Sequence, residues 1–241
     1  MCVAAIAWRA HPRWQLVAIA NRDEFHDRPT APLSQWPGSD IIAGRDEQAG
    51  GTWLGVSGAG RFALVTNFRR EGYPKPGLAS RGTLVTDWLT AEPDGDFAAM
   101  NPFHLLRIGP EGAQHVTNWP SLATRTLQSG FHGVSNGAFD RLWPKTGRLV
   151  AALGSWVSEG DPDEVALLTL LADETPLPAE PDSEGPERRL SPVFIRDPVY
   201  GTRSSTVVTV DSAGRGRIVE RRFAPEGTAA GETALDFSWA L

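Results

Sequence analysis

A chain of 241 residues with 41% hydrophobic content holds enough apolar material for one large core or two small ones. Its formal net charge of −6 and pI near 5.4, with no long basic run, exclude the electrostatic footprint of a nucleic-acid binder. No stretch approaches the roughly 18 unbroken apolar residues of a membrane helix, and the start lacks the basic, apolar, small-residue order of a secretory signal, so a soluble, cytoplasmic protein is expected. The single cysteine, Cys2, has no partner for an internal disulfide, which suits a reducing compartment.

Cys2 to Trp8 is an apolar run, His11-Pro12-Arg13 reads as a turn, and Trp14 to Ala20 is a second run rich in strand formers. Together they predict a hairpin that the chain leaves at Asn21, placing the polar tetrapeptide Asn21-Arg22-Asp23-Glu24 close to Cys2. Arg28 to Gly38 is Pro-rich and reads as a loop carrying one large apolar residue, Trp36. Ile41 to Asp46 predicts a strand. Gly50-Gly51 then permits backbone conformations or close approaches that a side chain forbids, just before Thr52-Trp53-Leu54-Gly55-Val56. Ser57 to Gly60 has hairpin-turn composition, and Arg61 to Asn67 is a strand with Asn67 at its end.

Arg69 to Pro76 reads as an exposed loop. A helix opens at Ser80-Arg81-Gly82 and carries Leu84, Val85, Trp88 and Leu89 at helical spacing. Phe103–Ile108 and His115–Trp119 predict an antiparallel pair, and Phe131 to Asn136 a short strand. Lys145 to Trp156 predicts a helix. Asp161-Pro162-Asp163-Glu164 has the order of a helix start, with Asp161 as N-cap, Pro162 at the first helical position and Glu164 three residues after the cap. The acidic, Pro-rich Thr175 to Leu190 reads as a loop. Val193–Ile195 and Thr206–Val210 read as strands flanking a Tyr200–Ser205 loop, and Arg217–Phe223 as the last hairpin. Many hairpin strands with about three helices that do not alternate with them predict an α+β fold, taken as a single domain over residues 1–241.

The blocks Cys2, Asn21-Arg22-Asp23-Glu24, Gly50 to Val56, Gly133-Val134-Ser135-Asn136, Trp143-Pro144-Lys145 and Gly201 to Thr206 occur in this order over most of the chain. As a set they resemble the NRDE-motif family, also called transport-and-Golgi-organisation-2-like. The resemblance implies an N-terminal-nucleophile (Ntn) hydrolase-like fold, a four-layer αββα sandwich of two antiparallel sheets flanked by helices, more distantly similar to penicillin and bile-salt acylases. Members of the family have been linked to haem trafficking, lipid or acyl-CoA handling and secretory organisation.

If the initiator methionine is removed, Cys2 carries a thiol and a free α-amine, so nucleophile and base share one residue. An amine with a pKa of about 7.7–8.0 takes a proton from a thiol of about 8.5 near neutrality. Carried over from the acylases, Cys2 would attack an amide or ester carbonyl, with Arg22 favouring the thiolate and Asp23 orienting the α-ammonium. Asn67 would donate to the oxyanion, Asn136 would hold substrate or amine, and Arg203 would complete the charge network. In the acylases the arginine and aspartate are separated in sequence; here they are adjacent, and neighbouring strand residues face opposite ways. Both therefore reach Cys2 only if the strand has ended, and otherwise Asn21 or Glu24 stands in for Asp23. Trp36 and Trp53 are candidates for ligand stacking. His104, His115 and His132 lack metal-ligand spacing, and no metal or cofactor is expected. Two functions follow: a cysteine amidohydrolase acting on a small acylated or linear amide, or a non-catalytic carrier for haem or an acylated lipid using the same pocket.

Overall fold

In the computed structural model, which describes residues 2–139, 141–159, 163–178 and 188–239, the chain forms two units, Met1–Asp27 with Ser129–Asp236 and Arg28–Gln128 with Phe237–Leu241. In chain order the strands and helices are β1 (Val3–His11), β2 (Trp14–Phe25), β3 (Thr30–Gln35), β4 (Ile41–Asp46), β5 (Leu54–Ser57), β6 (Arg61–Asn67), α1 (Gly82–Leu89), β7 (Phe103–Gly109), β8 (Gly112–Thr117), β9 (Ala123–Leu127), β10 (Gly130–Val134), α2 (Pro144–Glu159), α3 (Glu164–Leu171), β11 (Tyr200–Asp211), β12 (Arg215–Ala224) and β13 (Thr228–Ser238). The fold is α+β: two antiparallel sheets, each with helical cover.

The first unit is built on the sheet β10-β1-β2-β11-β12-β13. The expected N-terminal hairpin is present and central, with Val3 opposite Asn21 and Ala7 opposite Val17. One face of these strands, Val3, Ala5, Ala7, Val17, Ile19 and Val207, packs on Leu149, Leu153, Trp156 and Val157 of α2 and on Leu167, Leu168 and Leu171 of α3. The α2 residues recur at helical spacing, which is why that segment is a helix with one apolar stripe. Ala4, Ile6, Leu16 and Ala18 on the alternate positions are equally buried, so these strands are apolar on both faces.

β2 does not end at Asn21. It continues to Phe25, paired residue by residue with β11: Asn21 with Ser205, Arg22 with Ser204, Asp23 with Thr202 and Glu24 with Gly201. The segment stays in the strand because β11 supplies the backbone ladder and, from Ser205 and Thr202, hydroxyls that bond the Asn21 and Asp23 side chains. Tyr200–Ser205 is accordingly strand rather than loop, with Arg203 as the residue bulged out between Thr202 and Ser204. Conversely Val193–Ile195 is no strand. Its backbone is bound individually: Phe194 N–H to Asp173 O, Ile195 N–H to the Thr202 hydroxyl, and Val193 O to the Asn21 amide. At the start of α3 the N-cap is Asp163, whose carboxylate accepts from Val165 N–H at 2.8 Å; the expected cap Asp161 and Pro162 lie outside the described residues, as do residues 179–187 of the acidic loop.

The second unit is a meander, β3 through β9 in sequence order, with α1 placing Leu84, Val85 and Leu89 on Ala43, Ala63, Val65, Phe103 and Leu105. Part of the Pro-rich loop expected over Arg28–Gly38 is the edge strand β3. Pro32 is tolerated there because it falls in the irregularity between Ala31 and Ser34 at the sheet's edge. β9 and β13 gave no apolar alternation because most of their residues are exposed or half-exposed.

Gly50-Gly51 behaves as expected. Gly50 has φ +80°, and a Cβ on Gly51 would lie 2.5 Å from the carbonyl carbon of Gly82 at the start of α1. Backbone cannot swing aside as a side chain can. Gly51→Ala is therefore expected to lower stability by about 1–3 kcal/mol, read as a fall in urea midpoint. Gly147→Ala in α2, where the new methyl meets nothing within 4 Å, should leave the midpoint unchanged or raised.

A candidate active site at the N-terminal strand

Cys2 sits at the mouth of β1, half-buried, with Sγ 3.8 Å from the main-chain oxygen of Asp23. That oxygen also accepts from the Tyr200 hydroxyl at 3.1 Å. The main-chain oxygen of Cys2 accepts from Ser135 Oγ at 2.8 Å, and Ser135 Oγ lies 3.5 Å from Oδ1 of the buried Asn136. The β1–β2 and β2–β11 ladders, with the turn after β10, thus bring Cys2, Asp23, Tyr200, Ser135 and Asn136 together.

The tetrapeptide divides across the strand, as the pleat requires. Asn21 is buried and architectural: its amide donates to Leu171 O at 2.8 Å and Val193 O at 2.9 Å, and its Oδ1 accepts from Ser205 Oγ at 2.7 Å. Asp23 is buried too. Its Oδ1 accepts from Thr202 Oγ1 at 2.7 Å, and its Oδ2 lies 3.8 Å from the ammonium of Lys145, whose side chain is 1% exposed. Arg22, one residue back, is buried to 7% exposure, with Nη2 3.7 Å from Glu24 Oε2 and Nη1 buried without a hydrogen bond in the protein. Glu24 Oε1 accepts from Phe25 N–H, and Arg203 Nη1 donates to Phe25 O at 2.8 Å. β2 runs on through both residues, so Arg22 and Asp23 project to opposite faces: the Cys2 thiol contacts the Asp23 backbone, while the carboxylate serves Lys145 and Thr202.

The electrostatics follow from burial. Burial pushes the Cys2 thiol up, the Asp23 charge adds to the rise, and Arg22 opposes it. The Asp23 carboxyl is also raised by burial, against the pull of Lys145, the Thr202 hydrogen bond and Arg22. Lys145 is lowered by burial and supported by Asp23 and Cys2. Tyr200 is raised by burial and its anionic neighbours; Arg203 is lowered by burial and the Arg22 charge. At rest the thiol therefore keeps its proton, and attack on a carbonyl requires a base. The α-amine expected to serve depends on Met1, which lies outside the described residues.

Asn67, Trp36 and Trp53 lie in the other unit. Asn67 is the exposed last residue of β6, opposite Phe103. Trp36 and Trp53 are half-buried against the α1 cluster, with Trp36 Nε1 donating to Ala43 O and the Arg45 guanidinium 4.7 Å over its ring.

The sequence matches the family described as Transport and Golgi organisation 2 over residues 1–225. The chain belongs to that family. Among curated members of the Transport and Golgi organisation 2 family it is 26% identical to the mouse homolog over 97% of both chains, and 28% identical to the human homolog over 92% of both. Among solved structures, the Caenorhabditis elegans ortholog of N-acylethanolamine-hydrolyzing acid amidase covers 86% of this chain and 92% of its own, with 14% identity and a TM-score of 0.48. In this family member Lys145, Thr202 and Tyr200 received no role from the sequence. The signal for Lys145 was available: it stands four residues before Leu149 and eight before Leu153, on the buried stripe of α2, where a lysine demands an acidic partner.

Proposed function

We propose that this Transport and Golgi organisation 2 family member is an Ntn-type cysteine amidohydrolase acting on a small acylated or linear amide. The observation that carries the reading is the placement of the chain's one thiol at the start of a central strand, against Asp23, with a buried carboxylate, ammonium and guanidinium in the same cluster. A thiol held protonated by burial is activated only as it attacks, when an adjacent base takes its proton. The free α-amine of a processed Cys2 is that base: the thiolate adds to the amide carbonyl, the tetrahedral intermediate breaks its C–N bond as the α-ammonium returns the proton to the departing amine, and water, deprotonated by the same α-amine, hydrolyses the thioester to release the acid and the thiol. Asn136 and Arg203 bind substrate or charge as the family resemblance implies.

The test is an intact mass of the purified protein followed by an amide-library screen on wild type and Cys2→Ala. Loss of the initiator and turnover that falls to the uncatalysed level in Cys2→Ala, with an unchanged unfolding midpoint, is the expected result. Retained methionine, or turnover that survives the substitution, overturns it. The second reading, a carrier for haem or an acylated lipid using the same pocket, requires binding of haem or acyl-CoA that Cys2→Ala leaves intact.

A further inference from the structure

Lys145 takes no step in the mechanism above, and its burial against Asp23 asks for a role. Lys145 is among the largest fully buried side chains of the protein, its Nζ 3.8 Å from Asp23 Oδ2 and 3.4 Å from Leu190 O. Asp23 is fixed from its other oxygen by a relay, Ile195 N–H to Thr202 Oγ1 at 2.9 Å and Thr202 Oγ1–H to Asp23 Oδ1 at 2.7 Å. A buried ion pair is seldom retained for stability alone, since well-packed apolar residues of the same volume serve as well or better. The Cys2 thiol lies 3.8 Å from the main-chain oxygen of Asp23 itself.

We propose that Lys145 is a positioning residue of the Cys2 site: its ammonium, buried against Asp23, holds that carboxylate in place and offsets its charge so that Cys2 can lose its proton. The inference deepens the amidohydrolase reading and rests on Cys2 as its nucleophile. Without Lys145 the Asp23 charge would face Cys2 uncompensated and hold the thiol proton more tightly. Of the other charged and titratable groups, Arg22 on β2 acts on both Asp23 and Cys2, with Glu24 against it, and Tyr200 on β11 feels the charges of Cys2, Asp23 and Glu24; all remain in the variants below, so differences between them report on Lys145 and Asp23.

The experiment uses the full-length protein and iodoacetamide, whose single possible cysteine adduct is on Cys2, with alkylation rate followed by mass from pH 6 to 10. In Lys145→Met the profile is expected to move up by one unit or more, an about tenfold slower reaction at pH 7. Adding Asp23→Asn should return the rate to near wild type, because the uncompensated charge leaves with it. A Lys145→Met profile that superimposes on wild type, or a shift that Asp23→Asn leaves in place, overturns the proposal. If Lys145→Met does not fold, Asp23→Asn is compared with Asp23→Asn/Lys145→Met. The lone ammonium should make the thiol react at lower pH in the former, and identical profiles overturn the proposal. Alkylation does not depend on turnover, so a profile that shifts as expected in a protein with no amidase activity would sink the hydrolase reading and leave the charge coupling standing.

Discussion

Asn21→Ala is expected to destabilise the protein by about 3–5 kcal/mol, from about 1–3 kcal/mol for each buried polar group left unsatisfied. The side chain is wholly buried and ties three segments distant in sequence, the ends of α3 and of the Val193 loop through their carbonyls and β11 through Ser205. Truncation strands two main-chain oxygens where water does not reach, and only the Ser205 hydroxyl can turn elsewhere. Asn21→Asp separates this account from simple loss of volume. It keeps the shape but turns the two-proton donor into an acceptor facing two carbonyls at 2.8 and 2.9 Å. Urea titration at pH 7 should show Asn21→Asp at least as destabilised as Asn21→Ala. An aspartate variant as stable as wild type would remove the bonding role assigned to Asn21.

Acid should weaken the fold through His115. His104 Nδ1 and His115 Nε2 lie 2.9 Å apart between neighbouring strands β7 and β8, both rings about 2% exposed. Burial, with the charges of His104 and Arg125, lowers His115 to about 3 from its ordinary 6.5. In the unfolded chain the same imidazole takes a proton near 6.5, so between about 6.5 and about 3 the unfolded state binds more protons than the folded one. Stability then falls with decreasing pH by up to about 1.4 kcal/mol per unit, and is unaffected by this group above about 7. Urea midpoints measured from pH 7.5 to 4.5 should decline more steeply for wild type than for His115→Gln, which has no proton to take up. Parallel curves for the two proteins would show that His115 does not carry the acid response.

How far the sequence disclosed the molecule depended on what each signal measures. Apolar runs and turn residues placed β1, β6, α1 and α2 closely, because their burial patterns are dense enough to leave a period. Polar composition misled where hydrogen bonds replaced apolar contacts: Asn21 to Glu24 and Tyr200 to Ser205 look like loops one at a time, and are strands because the ladder pairs their backbones while Ser205 and Thr202 bond the Asn21 and Asp23 side chains. Val193–Ile195 misled in the opposite sense, since an apolar triplet can be buried by side-chain hydrogen bonds to its backbone without joining a sheet. Cys2 and the polar cluster beside it were legible from position and order. The partition of that cluster, with Asp23 bound to Lys145 and Arg22 to Glu24, was not, because it depends on the phase of a strand whose end was placed four residues too early.

The ladder that completes the cluster joins residues 184 positions apart, Asn21 and Ser205. A ribosome therefore releases the N-terminal hairpin long before β11 exists to cover the outer edge of β2, and the intervening Arg28–Gln128 unit, closed on its own local meander, has time to form first. During synthesis the hairpin waits with a row of unsatisfied backbone donors and acceptors along Asn21 to Phe25, a surface that other chains can pair with. The hairpin β1–β2 is thus completed only once β11, 184 residues further on, has been made.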